Sequence, residues 1–275
     1  MVRLLTYNIH KGIGGRDRLY RLERTIEVIE QMNPDLLCLQ EVARRTRRSH
    51  FDNQPELLRE YFKAEGFAYQ FNVELRAGGY GNLLLSRWPM ASHHHVSLRF
   101  SNKKPRGAQI AVIDTPEGPL QLVNLHLGLA EAERRWQVAH LLTHRLLEAD
   151  DDLPTLLAGD WNDWRNTLHG GTLSECGFVH VTAPPSRFRS FPAYLPVGSL
   201  DKVFRRGSVC VREAFVVRNR LSRLASDHLP LVVDLHVSEE FVNCAHTAKH
   251  DAHQQVTGAH LGPMKLATHE EAFGA

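Results

Sequence analysis

The chain has 275 residues, 43% hydrophobic and 23% charged, with 33 Lys plus Arg against 31 Asp plus Glu and a formal net charge of +2. These proportions supply ample core material and argue against a disordered chain, a collagen-like repeat or a dedicated polyanion-coating protein. No apolar run reaches the ~20 residues of a membrane-spanning helix and no charged-then-apolar leader opens the chain, so no transmembrane segment and a cytoplasmic location are expected. Cys38, Cys176, Cys210 and Cys244 lack C-x-x-C spacing, which argues against zinc ribbons and for reduced, structural thiols.

Arg3 to Ile9 is a β-rich run that stops at His10-Lys11-Gly12, so the first strand ends near Asn8. Leu19, Leu22, Ile26 and Ile29 recur at helical spacing and predict a helix that Asn33-Pro34 terminates. Asp35 to Gln40 is nearly continuous in apolarity, as in a strand covered on both faces, and delivers Glu41 at its end. The densest basic run follows at Arg44, Arg45, Arg47 and Arg48, where it forms a plausible anion-attracting rim. A helix over Pro55 to Ala64 and strands over Phe67 to Leu75, Gly81 to Ser86 and Ala91 to Phe100 come next.

Gln109 to Asp114 and Leu120 to Leu125 flank Thr115-Pro116-Glu117-Gly118-Pro119, a strong hairpin signal, and the second strand ends at His126. From Ala130 to Leu147 the residues Trp136, Ala139, Leu142 and Leu146 predict one buried helical face, broken by Asp150-Asp151-Asp152. Leu156 to Gly159 reads as a short buried strand that turns polar at Asp160 and Asn162, and a short helix is expected between Asp163 and Cys176. A long Pro- and Arg-containing loop runs from Thr182 to Gly198, with Phe188, Phe191, Tyr194 and Leu195 as a candidate apolar rim. Strands starting at Ser199, Val209 and Leu229 complete the pattern, the last entered through Ser226-Asp227-His228. Residues 1–237 are expected to form one domain and 238–275 a His-rich, flexible tail without a fixed pairing of ligands.

The polar residues at strand ends are Asn8, Glu41, His126, Asp160, Asn162, Asp201, Asp227 and His228. Carboxylates and carboxamides without a cysteine favour a hard divalent cation, Mg²⁺ or Mn²⁺, and disfavour zinc. Thr6-Tyr7-Asn8, Leu39-Gln40-Glu41-Val42, Asn124-Leu125-His126-Leu127, Gly159-Asp160-Trp161-Asn162-Asp163, Ser199-Leu200-Asp201 and Ser226-Asp227-His228-Leu229-Pro230 resemble, in order, the motifs of the endonuclease/exonuclease/phosphatase superfamily. Each motif is weak alone, and six in order are specific.

The resemblance implies an α/β fold, a four-layer α/β/β/α sandwich of two packed, mostly antiparallel or mixed sheets flanked by helices. It also implies metal-dependent hydrolysis of phosphate esters. By motif, Glu41 is the main metal ligand with Asn8 and Asp227 in support. Asp160 orients or deprotonates water, and Asn162, His228 and Arg106 contact the phosphate. Asp201 fixes His228, and His126 is a second histidine that Glu74 is expected to partner. His10 stands where abasic-site endonucleases carry an acidic residue, which makes an abasic-site repair role less expected. A nucleic-acid phosphodiesterase is the leading expectation. The alternatives are a phosphoesterase of a phospholipid head group, sphingomyelin or a phosphorylated small molecule, and a non-catalytic binding protein on the same fold.

Overall fold

The computed structural model describes residues 1–148 and 153–237; the Asp150-Asp151-Asp152 run and the tail expected over 238–275 lie outside them. Twelve strands are present among the described residues: β1 Val2–Asn8, β2 Leu36–Arg44, β3 Gly66–Glu74, β4 Gly79–Ser86, β5 Met90–Ser97, β6 Gly107–Thr115, β7 Gly118–His126, β8 Thr155–Asp160, β9 Val179–His180, β10 Asp201–Arg206, β11 Val209–Val216 and β12 Leu231–Val237. The longer helices are α1 Leu22–Met32, α2 Gln54–Phe62 and α3 Glu131–Leu142. One sheet has the order β11-β12-β1-β2-β4-β3 and the other β5-β6-β7-β8-β10-β9.

Each sheet holds one parallel pair, β1 with β2 and β7 with β8, amid antiparallel neighbours. A parallel pair needs a long crossover, and helices α1 and α3 lie within these two connections. Both pairs bring their carboxyl ends together, where open α/β sheets bind ligands.

Alternation along the strands divides the core into three layers. Leu4, Leu36, Cys38 and Leu84 of one sheet face Ala111, Leu122, Leu156 and Val203 of the other. The intervening residues Leu5, Leu37, Leu39 and Leu83 pack under α1 and α2 with Val28, Ile29 and Leu58. On the far side, Ile110, Val123, Leu125 and Leu157 pack under α3 with Val138 and Leu141. The result is the α/β/β/α sandwich the motifs implied. Buried carboxamides also bridge the sheets: Gln40 Nε2 donates to Asn124 Oδ1 at 2.8 Å, and Asn124 Nδ2 donates to the carbonyls of Leu83 at 3.0 Å and Leu39 at 3.2 Å. Buried hydrogen bonds of this kind fix how two sheets register.

Several expectations change. Strand β2 does not stop at Gln40; its pairing with β4 shifts between Leu39 and Val42, so Glu41 sits within a bulge at φ 55°. Bulges re-aim a side chain, and this one turns Glu41 out of the ladder. Helix α3 buries Glu133, Arg134, Gln137, Val138, Leu141 and Leu142, whereas Trp136 is 38% exposed and Ala139 is exposed. Its inward face is polar because it ties loops: Gln137 Oε1 accepts from Gly128 N–H at 2.8 Å, Gln137 Nε2 donates to the Leu98 carbonyl at 2.8 Å, and Arg134 donates to the Leu129 carbonyl at 2.6 Å. Trp136 stacks instead on His140, with ring centroids 4.8 Å apart. Cys38 and Cys176 are free, while Cys210 is disulfide-bonded, contrary to the expectation of reduced thiols throughout. Among the described residues no helix is long and apolar enough to cross a membrane.

Candidate active site

Strand register assembles the site. His126 of β7 pairs with Asp160 of β8 in parallel, and Asp201 of β10 pairs with the same Asp160 in antiparallel, so the three lie side by side across one sheet. From the opposite sheet Asn8, the last residue of β1, reaches across and donates from Nδ2 to Asp160 Oδ2 at 3.0 Å. The β7–β8 approach is close at Gly159, where an added Cβ would lie 1.9 Å from the Leu125 carbonyl oxygen. A side chain cannot occupy that position without moving a strand.

The chain then returns at Ser226-Asp227-His228. Ser226 Oγ donates to the Asn8 carbonyl at 2.7 Å and accepts from His228 N–H at 3.3 Å, which docks this turn on the end of β1. His228 Nδ1 donates to Asp201 Oδ2 at 2.9 Å, and its Nε2 lies 3.7 Å from Asp160 Oδ2. His126 Nε2 lies 3.3 Å from the same oxygen. Arg106 Nη1 donates to His126 Nε2 at 2.8 Å. Asn162, at φ 50°, offers its backbone N–H to Asp160 Oδ1 at 3.0 Å and its Nδ2 to the Leu127 carbonyl at 3.0 Å. Asn8, Arg106, His126, Asp160, Asn162, Asp201 and His228 are thus brought together, with part of the Asn162 amide already engaged.

Burial and neighbours set the charges. Burial pushes the Asp160 carboxyl up, His228 opposes this and Asp201 adds to it, leaving a value of about 6. Burial pushes the His228 imidazole down, but Asp201 and Asp160 outweigh it and raise the value to about 10. His228 is therefore cationic near neutral pH. His126 is held well below the ordinary range by burial and by Arg106, so it is neutral. Burial pushes the Glu41 carboxyl up, but Lys11 foremost holds it well below the ordinary range.

Some participants were not legible in the motifs. Ser190, from the long loop, donates from Oγ to Asp201 Oδ2, the oxygen that holds His228. Phe191, the next residue, packs on the His228 ring with centroids 4.8 Å apart. Lys11 Nζ donates to Glu41 Oε2. A serine and a lysine in loops carry no periodic signal, and only the fold brings them to their partners. His126 takes Arg106 and Asp160 as partners, not Glu74, which is exposed at the end of β3. Of the candidate rim, Phe188 is buried in the inter-sheet core, whereas Tyr194 and Leu195 are exposed.

Two residue groups offer themselves to a divalent cation. Asp160, Asp201 and His228 have ligand-capable atoms within 4.8 Å of one another. In that group His228 Nδ1 is engaged by Asp201 Oδ2, and a cationic imidazole is not a metal ligand. The oxygen donors Glu41, Asn8 and Asp227 fit a hard divalent ion better, because Glu41 stays ionised and already holds a cation, the Lys11 ammonium.

The endonuclease/exonuclease/phosphatase family matches the chain over residues 5–228. The protein YbhP of Escherichia coli (strain K12) is 30% identical over 246 residues, covering 86% of this chain and 96% of its own length. An endonuclease/exonuclease/phosphatase from Beutenbergia cavernae superposes with a TM-score of 0.68 at 22% identity, over 86% of this chain and 72% of its own. A mannosyl-6-phosphatase from Bacteroides thetaiotaomicron does so with a TM-score of 0.65 at 16% identity, over 86% and 99%. At these identities the two structures establish a shared fold.

Proposed function

Since the chain belongs to the endonuclease/exonuclease/phosphatase family of phosphoesterases, we propose that it is a Mg²⁺- or Mn²⁺-dependent phosphodiesterase acting on nucleic acid. One observation carries the phosphate reading. Arg106 is 7% exposed, no carboxylate pairs with it among the described residues, and its Nε has no partner. A guanidinium left in that state is costly, and a bound phosphate supplies the missing acceptor in a geometry the planar fork matches.

The other side chains have roles that follow from their charge. Asp160, at about 6, is ionised at neutral pH yet basic enough to take a proton from an attacking water. The Asn8 amide and the Asn162 backbone N–H orient its two oxygens. His228 donates from Nε2 to a phosphoryl oxygen while Asp201 holds Nδ1–H and keeps the ring charged. His126 spaces Arg106 from Asp160, and the remaining Asn162 amide hydrogen is a further donor. Glu41, Asn8 and Asp227 would hold the divalent cation, which supplies charge stabilisation at the phosphoryl oxygens when bound.

The exposed Arg44, Arg45, Arg47 and Arg48 beyond Glu41 favour a substrate with several phosphates. A second reading, a phospholipid head group, is favoured by one feature: Trp164, Tyr194, Leu195 and Val197 are all exposed near Phe191, which packs on His228. A panel of plasmid DNA, single-stranded RNA, glycerophospholipid, sphingomyelin and inositol phosphates with Mg²⁺ or Mn²⁺ separates the two. Nuclease activity with a steep loss of binding in salt is expected, abolished by EDTA and by Glu41→Ala. Hydrolysis of lipid alone with a shallow salt slope refutes the nucleic-acid reading, and activity untouched by EDTA refutes the metal assignment.

A further inference from the structure

The turn His10-Lys11-Gly12 is not used by the chemistry above, yet it is built with care. All three residues hold positive φ, 45°, 64° and 71°, a conformation that is sterically unfavourable for the histidine and the lysine. Gln54, fully buried at the start of α2, holds it there. Its Nε2 donates to the Lys11 carbonyl at 2.7 Å and its Oε1 accepts from Ala43 N–H at 2.7 Å. One carboxamide therefore ties the turn to β2, two residues beyond Glu41. His10 N–H donates to Asn8 Oδ1 at 3.1 Å, and His10 Nδ1 lies 3.8 Å from Asp227 Oδ1. Two of the expected metal donors, Glu41 and Asn8, thus have a hydrogen-bond partner in this turn.

The consequence falls on Lys11. Its ammonium donates to Glu41 Oε2 and lies 4.6 Å from the centroid of the Tyr80 ring, with the two side chains of the ion pair only 15% and 13% exposed. A carboxylate oxygen holding an ammonium is not open to a cation. An ammonium stripped of its carboxylate in so enclosed a place is costly unless another anion meets it. Arg106, Tyr80, Glu41 and His126 line one small cavity, and the Lys11 ammonium reaches two of these, the Glu41 carboxylate and the Tyr80 ring, on which Lys104 also lies at 5.0 Å.

We propose that Lys11 couples metal binding to anion binding: its ammonium competes with the divalent cation for Glu41 in the free protein and is neutralised by the substrate phosphate once the cation is in place. The proposal rests on the reading of Glu41 as a metal ligand. By linkage, the anion then raises metal affinity by the factor by which metal raises anion affinity.

The test is Mn²⁺ binding to the full chain by isothermal titration calorimetry, with and without methylphosphonate, a phosphate-shaped anion that is not hydrolysed. Wild type should bind Mn²⁺ at least about fivefold more tightly with the anion. Lys11→Met, which keeps an apolar stem against Tyr80, should bind Mn²⁺ about tenfold more tightly without the anion and gain less from it. Lys11→Arg should retain the wild-type pattern. Gln54→Leu, which unties the turn without altering the ion pair's side chains, should shift Mn²⁺ affinity in the direction of Lys11→Met. If neither Lys11→Met nor Gln54→Leu tightens Mn²⁺ binding while Glu41→Gln abolishes it, the coupling is overturned and the metal assignment stands. If Glu41→Gln leaves Mn²⁺ binding intact, both are overturned.

Discussion

Replacing Asp201 by Asn keeps the shape of the side chain and removes the charge that holds His228 protonated. In the structure Asp201 Oδ2 accepts from His228 Nδ1 at 2.9 Å and from Ser190 Oγ, with Asp201 fully buried. The net rise of His228 from 6.5 to about 10 corresponds to about 5 kcal/mol, and because burial opposes it this is a floor on what the anionic neighbours together supply. Asp160 shares in that, so a charge-assisted hydrogen bond of about 2–3 kcal/mol is the portion assigned to Asp201. Losing it brings His228 down by about two pH units, so that about half of the imidazole is neutral near pH 8, and kcat/KM should fall by roughly twofold there and by roughly 50-fold near pH 10.

The assay is kcat/KM against pH for parent and variant. The alkaline limb, which reports loss of the His228 proton, should move from near 10 to near 8. The acid limb near 6, set by Asp160, should move to lower pH, because the Asp201 charge that raises that carboxyl is gone while His228 is still cationic there. Stability follows the same sign. A histidine whose folded pKa exceeds its unfolded one contributes fully below about 6.5 and loses that contribution as pH rises through about 10. Asp201→Asn should thus destabilise most at the acid end of that window and least above it. An alkaline limb that stays with the parent's would refute this account of His228.

Other perturbations test separate parts of the framework. Ser190→Ala removes one of two donors to Asp201 Oδ2; kcat should drop by roughly tenfold at constant KM, with the fold unchanged by circular dichroism. Arg106→Met fills the space without the charge, so KM for the phosphoester should rise while thermal stability holds or improves, as expected when an unpaired buried charge is removed. Gly159→Ala forces a Cβ onto the Leu125 carbonyl at φ 150° and should cost at least about 2 kcal/mol in urea unfolding; a neutral result would mean that the β7–β8 spacing yields easily.

The sequence by itself determined the local pieces and the chemistry. Near-continuous apolar strands at Leu36–Leu39 and Leu156–Gly159 announce covered sheets, and the residue types at their ends announce hard oxygen donors. The resemblance of the ordered motifs to a known family implied the sandwich and grouped Asn8, His126, Asp160, Asp201 and His228 in one site. Tertiary structure decided what those residues do to one another. Asp160 and Asn8 are 152 positions apart, and their hydrogen bond exists because two separate sheets are stacked in one register. The bulge that frees Glu41 depends on pairing with β4, and the polar buried face of α3 depends on the loops it must hold. Ser190 and Lys11 reach the site only through the closure of irregular segments. Periodicity reports which face of an element is buried; partner, register and shared proton are set by contacts between elements far apart in the chain, which no local pattern encodes.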